Sequence, residues 1–383
     1  MELYIHVPFC VQKCRYCSFI SFTQKENLFE EYTKLILKEA SQRSRELCEP
    51  VRTVYIGGGT PSVLPAPVFR NLLEGLRVIY GMDQVTEFTC EANPGTLTDE
   101  WLACAAEYGV NRLSIGMQAY QPDLLKTLGR IHQFDSVVQA VNMAHMAGIR
   151  NINLDLIFGI PGQSLPQWAE TIEHALSLQP SHISAYGLIP EEGTPLYDDI
   201  QTGILSLPDP DEEREMYDTA LNQFRQYGMI QYEISNFSMP GRECLHNIGY
   251  WSQVPYIGLG VSAASMINVS ITDAGMTYLR KTNPSSFSGY RNMVSEYCLN
   301  PDTEYINPSE SRFETMMLGL RMNKGVSDET FRKMHGLSVR ESFGPRLVKM
   351  MDAGLLLHEK GYWKMTRRGQ DIQNMLLVEL LDD

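Results

Sequence analysis

The chain has 383 residues, of which 43% are hydrophobic and 20% charged, with a formal net charge of −14. That length carries a sizeable core and, on size alone, two domains, while the composition excludes a disordered or low-complexity chain. An acidic chain lacks the basic stripe that displaces counterions from nucleic acid or holds a protein on anionic lipid, so a small molecule or another protein is the expected partner.

The N-terminus, Met-Glu-Leu-Tyr-Ile-His-Val-Pro-Phe-Cys, has neither the cationic nor the long apolar region of a secretory signal. No window approaches the ~20 apolar residues that span a bilayer. The expected location is the cytoplasm, where a tight group of cysteines points to metal or redox chemistry rather than to a disulfide.

Short β-type runs then alternate with helix-length amphipathic stretches; the runs lie at 3–7, 53–56, 87–90, 112–115, 151–156 and 182–186. Between the first two, Phe29, Tyr32, Leu35, Ile36 and Ala40 share one helical face. Such β-then-α units make a parallel sheet, either doubly wound or curved into a partial barrel. The unusual residues decide between them. Cysteines follow the first run, Gly57-Gly58-Gly59-Thr60-Pro61 the second, Glu91 ends the third, Gln118 lies past the fourth, Asp155 closes the fifth and Tyr186 the sixth. Polar and glycine-rich features at the carboxyl end of every strand converge on one mouth, where barrels place their chemistry. The expected fold is therefore α/β, a partial (β/α)6 TIM-like barrel over 1–235.

Pro208-Asp209-Pro210 opens a long helix to about Tyr227, and 231–234 reads as a further strand on the barrel edge. Residues 236–300 read as a connecting region. After Asn300-Pro301 the pattern changes to helices and a hairpin turning near Lys360-Gly361, a smaller winged-helix-like domain over 301–383. From Tyr305 onward it carries 12 Lys and Arg against 11 Asp and Glu, so a packing or lid role fits it better than DNA reading.

Cys10-Val-Gln-Lys-Cys14-Arg-Tyr-Cys17 puts three thiols on one loop directly after a strand. Soft thiolates suit zinc or iron–sulfur, but a structural zinc site wants four ligands in two pairs, and Cys48, Cys90, Cys104, Cys244 and Cys298 are solitary. A cubane on three cysteines leaves one iron open to a chelating cosubstrate. The solitary cysteines read as small buried hydrophobes.

The C-x-x-x-C-x-x-C spacing after a first barrel strand resembles the radical S-adenosylmethionine superfamily. The resemblance implies a [4Fe–4S] cluster on Cys10, Cys14 and Cys17, whose electron cleaves S-adenosylmethionine. Over nearly the whole chain it sharpens to the oxygen-independent coproporphyrinogen III oxidase family, through Tyr4-Ile-His-Val-Pro-Phe-Cys10, the glycine-rich turn, Ser114-Ile-Gly-Met-Gln118, Gly129-Arg130-Ile-His132 and Asp155-Leu-Ile-Phe-Gly159-Ile-Pro-Gly162. By position it implies cosubstrate contacts from Tyr4, Tyr16, Gly58, Gly59, Thr60, Glu91, Gln118, Arg130, Asp155 and Ala185. Taken singly each has another reading: a strand-ending turn for the glycines, helix capping for Glu91, a surface ion pair for Arg130.

Two departures separate this chain from the decarboxylating oxidase. Phe19 stands where that enzyme has a fourth cysteine, and the chain starts three residues before Tyr4, without the long N-terminal arm. Both features look like the HemW group of haem chaperones, and His246-Asn247-Ile-Gly-Tyr250-Trp251 matches that group's H-N-x-x-Y-W element. This makes His246 the candidate haem-binding residue. On the residues alone the same segment also reads as a structural corner, with His246 hydrogen-bonded to backbone and the aromatics in the core. Three activities stay open: a carrier that binds haem as cargo and hands it to a haemoprotein client, a coproporphyrinogen III decarboxylase, or a related radical methyltransferase or haem-degrading enzyme. A homodimer is compatible with all three.

Overall fold

The computed structural model describes residues 1–46, 49–295 and 302–381. Cys48, Cys298 and the change of pattern at Asn300-Pro301 lie outside the described residues. Strand and helix alternate through β1 (Glu2–Val7), α1 (Phe29–Arg43), β2 (Thr53–Gly58), α2 (Ala66–Tyr80), β3 (Glu87–Ala92), α3 (Asp99–Glu107) and β4 (Arg112–Gln118). They continue with α4 (Pro122–Thr127), α5 (Phe134–Met146), β5 (Asn151–Phe158), α6 (Leu165–Ser177), β6 (His182–Gly187), α7 (Pro195–Gln201) and α8 (Pro210–Tyr227). Local chemistry sets the helix ends. Ser164 with Gln167 and Asp209 with Glu212 form capping boxes at the starts of α6 and α8, and α2 stops at Gly81, whose φ of +58° only glycine adopts at little cost.

β1 to β6 pair in parallel and in chain order, with no reversal of the kind a doubly wound sheet needs, so the sheet curls into a partial barrel. Past β6 come β7 (Ile230–Glu233) and β8 (Asn236–Ser238), with β8 antiparallel to β6. The stretch read as a connection supplies α9 (Leu245–Trp251), then β9 (Tyr256–Leu259), β10 (Ala264–Thr272) and β11 (Gly275–Thr282), followed by α10 (Phe287–Ser295). β9 pairs in parallel with the free side of β1, and with β10, β11 and β12 (Asp302–Ile306) extends the sheet in that direction.

The barrel strands alternate strictly. Leu3, Ile5, Val7, Val54, Ile56, Phe88, Cys90, Leu113, Ile115, Ile152, Leu154 and Ile183 are buried beneath the helices in the main core. Their neighbours of opposite parity, among them Glu2, Tyr4, His6, Tyr55, Glu91, Arg112, Ser114, Asn153 and Asp155, fill the lumen with polar groups that bond one another: Asn153 Nδ2 donates to Ser114 Oγ and Asp155 Oδ1, and Tyr55 to Glu91.

The C-terminal unit has a core of its own around Phe331, Phe343, Leu347 and Trp363. It comprises α11 (Pro308–Gly319), β13 (Val326–Ser327), α12 (Asp328–His335), α13 (Val339–Asp352), the hairpin β14 (Leu356–Glu359) and β15 (Tyr362–Met365), and α14 (Arg367–Asp371) and α15 (Gln373–Val378). The hairpin turns at Lys360 and Gly361, with φ of +52° and +77°, as a two-residue turn of type I′ requires. Arg321 anchors this unit to the barrel, its Nε 2.7 Å from the fully buried Glu233 and its guanidinium 4.6 Å above the Trp251 ring. Among the described residues no helix is long and apolar enough to cross a membrane.

Candidate functional site

At the carboxyl ends of the strands lies a cavity of about 420 Å³. Cys10, Cys14, Tyr16, Cys17, Gly58, Gly59, Thr60, Glu91, Gln118, Arg130 and Asp155 all line it, so most of the residues singled out from sequence meet in one place. Three do not. Tyr4 lines a second cavity, Ala185 faces the outer core while its neighbours Ser184 and Tyr186 line the mouth, and His246 lies buried behind the mouth.

The three cysteines ride on the loop after β1, which is tied down at both ends. Phe22 and Cys10 exchange backbone bonds across it with Pro8 and Phe22, and Arg15 N–H donates to Leu128 O at 3.0 Å. The Gly58-Gly59 turn of β2 packs against the loop so closely that a Cβ at Gly59 would sit 2.7 Å from Phe9 O, which explains glycine there in structural terms. Thr60 Oγ1 donates to Cys10 Sγ (3.6 Å) and Arg130 Nη1 to Cys14 Sγ (3.3 Å). Arg130 is no surface ion pair: Nη2 donates to Asn93 Oδ1 at 2.7 Å and Gly116 O at 2.9 Å, aiming the guanidinium at the cysteine loop.

Glu91 joins the glycine turn to the lumen, accepting from Gly58 N–H at 3.0 Å and from Tyr55 Oη at 2.8 Å. Gln118 reaches the mouth through a bulge in β4, with a φ of +64° that a non-glycine residue adopts only where its surroundings hold it. Asp155 accepts from Ser114 and Asn153. Carboxylate, amide and guanidinium thus converge on a space that glycine backbone also borders, an arrangement suited to an amino acid's ammonium and carboxylate and to ribose hydroxyls.

Burial pushes the Glu91 carboxyl up to about 7, and burial likewise pushes Glu2, at the far end of the lumen, up to about 8, from 4.5 in each case. The folded chain therefore holds protons that the unfolded chain has lost, and stability falls as pH rises through that interval. The buried histidines, whose pKa values burial lowers, act in the opposite direction below about 6.5 and are neutral in both states above it. Between pH 6.5 and 8 we expect urea stability to fall by up to about 1.4 kcal/mol per pH unit per protonated carboxyl, and Glu2→Gln to flatten the fall. Equal wild-type stability at the two pH values would refute it.

His246 is 1% exposed. Its Nδ1 lies 2.8 Å from Thr53 Oγ1 and its Nε2 3.0 Å from the Tyr250 hydroxyl, its ring stacks on Tyr55, and burial lowers its pKa to about 3. Glu87 caps the helix that carries it, accepting the backbone N–H groups of Leu245 (2.8 Å) and His246 (3.0 Å). Both ring nitrogens are occupied, so an iron atom reaches His246 only if one of these bonds opens. Sequence reasoning missed the lumen residues Arg112 and Asn153, both on the mouth cavity; the signal was available in the alternation of β4 and β5.

Residues 4–175 match the model of the Radical SAM superfamily, and residues 306–372 that of the HemN C-terminal domain. The chain is 35% identical over 383 residues to heme chaperone HemW of Bacillus subtilis (strain 168), covering 99% of each protein. The chain belongs to the HemW family. A second member, heme chaperone HemW of Escherichia coli (strain K12), is 33% identical, with 98% of this chain and 97% of that protein covered. The fold is also that of coproporphyrinogen III oxidase (HemN) from Escherichia coli, with a TM-score of 0.84 at 20% identity over 99% of this chain and 89% of the other.

A radical SAM domain implies a [4Fe–4S] cluster and S-adenosylmethionine, and the residues of this HemW-family chain fit both. Cys10, Cys14 and Cys17 are unbridged, half-buried and on one rim of the mouth. Thr60 and Arg130 already aim donors at two of the sulfurs, as thiolate ligands require.

Proposed function

We propose that this chain is a haem chaperone that binds haem in the cytoplasm and transfers it to a haemoprotein client. The observation that carries the reading is similarity to haem chaperones along the whole chain. Phe19 agrees with it: it stands 65% exposed on the cysteine loop, where resemblance to the decarboxylating oxidase would imply a fourth cysteine. In this reading Cys10, Cys14 and Cys17 hold the cluster, Gly58, Gly59, Thr60, Glu91, Gln118, Arg130 and Asp155 orient the cosubstrate, and Tyr16 and the lumen tyrosines exclude water around it. When bound, the cluster supplies the electron for reductive chemistry on the cosubstrate.

The test is to reconstitute the cluster anaerobically, titrate haem while following the Soret band, and then mix the loaded protein with an apo-haemoprotein. One haem per chain, released stoichiometrically to the acceptor, is the expected result. Deoxyadenosine formation that depends on coproporphyrinogen III, without haem transfer, would overturn it.

A further inference from the structure

Asn93 stands just past β3, where Pro94 confines it to extended backbone, with φ of −96° and ψ of 140°. Its N–H donates to Ser62 Oγ at 3.3 Å and its carbonyl accepts from Thr96 Oγ1 at 2.9 Å, so the backbone is fixed independently of the side chain. The side-chain amide lies on the mouth between two groups that point at cysteine sulfur. A guanidinium only donates, so the bond from Arg130 Nη2 identifies the amide oxygen and turns Nδ2 the other way. There Nδ2 donates to Thr60 Oγ1 at 2.8 Å. Having accepted that bond, the Thr60 hydroxyl spends its one hydrogen on Cys10 Sγ. On the opposite side Arg130, held by the same amide and by Gly116 O, presents Nη1 to Cys14 Sγ. Gly116 leaves the space for this meeting: a Cβ there would lie 2.7 Å from Arg130 Nη2 and 3.3 Å from Asn93 Oδ1.

We propose that Asn93 is a positioning residue that raises the reduction potential of the cluster, by aiming the Thr60 hydroxyl and the Arg130 guanidinium together at the Cys10 and Cys14 sulfurs. This rests on the reading of the three-cysteine loop as the cluster site. A hydrogen bond to a ligand sulfur stabilises the reduced, more negative state and so raises the potential. Without the amide, the Thr60 hydrogen is free to turn to another acceptor and Arg130 Nη2 keeps only Gly116 O, so both donors loosen at once. The other groups beside the sulfurs, Ser21 at Cys10 and the Phe19 backbone at Cys17, belong to the cysteine loop itself and are not held by Asn93.

Full-length protein, reconstituted anaerobically without S-adenosylmethionine, should be titrated potentiometrically with the cluster followed by electron paramagnetic resonance. The variants are Asn93→Ala, Asn93→Asp, Thr60→Val, Thr60→Ser, and each Asn93 change combined with Thr60→Val. Aspartate has the size of asparagine and keeps an acceptor for Arg130, but it turns an oxygen to Thr60 and draws the hydroxyl hydrogen away from Cys10. The expected result is wild-type iron content with one-electron reduction about tenfold less favourable in Asn93→Ala and Asn93→Asp, a downward shift of about 59 mV. Thr60→Val should fall as well, Thr60→Ser should restore the potential, and each Asn93 change should shift it less in the Thr60→Val background than alone. An unchanged potential in the Asn93 variants, or shifts that simply add in the double variants, would overturn the assignment while leaving the cluster reading intact. Loss of iron from both Asn93 variants would do the same, since it would make Asn93 part of the scaffold of the loop. A wild type that takes up no cluster would overturn both.

Discussion

Alanine at Cys14 is expected to abolish cluster assembly, with iron and sulfide content after anaerobic reconstitution falling to background. Cys10 and Cys17 alone leave a cubane two irons short of ligands, and among the described residues no other cysteine shares the mouth: Cys90, Cys104 and Cys244 are buried in the fold. The Arg130 guanidinium loses its sulfur acceptor but keeps Asn93 and Gly116, so the mouth should hold its shape. The loss should therefore be confined to metal, with little change in the urea midpoint. Cys104→Ala is the control and should retain wild-type iron. A normal iron–sulfur spectrum in the Cys14 variant would sink the assignment of the three-cysteine loop.

Alanine at Glu87 should cost stability rather than metal, by about 3–5 kcal/mol. This carboxylate, 4% exposed, accepts from the Leu245 and His246 backbones and from the Cys244 thiol, and it is the cap that fixes α9 under the lumen. It also faces the fully buried Arg112, whose pKa burial alone would depress but which Cys244 and Glu87 hold raised. Removing Glu87 strips an N-cap, worth about 0.5–2 kcal/mol, and leaves a buried guanidinium short of a counter-charge. Urea unfolding of Glu87→Ala beside Glu87→Gln measures the two parts, because glutamine keeps an acceptor but not the charge. A loss below about 1 kcal/mol in the alanine variant would show that α9 is held by something else.

The barrel was legible because its strands carry two messages at once. The runs read from sequence at 53, 87, 112, 151 and 182 begin where the strands begin, and each strand extends one to three residues further into the mouth. Turn chemistry located the α8 cap and the wing. Strand parity, applied along β6, also places Ala185 outside the lumen, since Ser184 and Tyr186 flank it. Tyr4 is different. Its parity is inward, but β9 closes against β1 and puts it on a second cavity. β9 has four residues and β10 ends in exposed serine and threonine, so neither shows the alternation that betrays a strand with one buried face. The corner at His246 was undecidable for a similar reason: a buried imidazole satisfied by a threonine and a tyrosine has the composition of an imidazole awaiting iron.

His6 bridges the cysteine loop and Tyr4. Its Nε2 donates to the Ile20 carbonyl on the cysteine loop at 2.9 Å, which leaves Nδ1 to accept from the Tyr4 hydroxyl at 2.9 Å on the wall of the second cavity. A Cβ at Gly58 would lie 2.5 Å from the same ring, so only glycine at 58 leaves the imidazole its place. Cysteine loop and cavity wall are thus pinned to one imidazole, and His6→Ala would cut both ties at once.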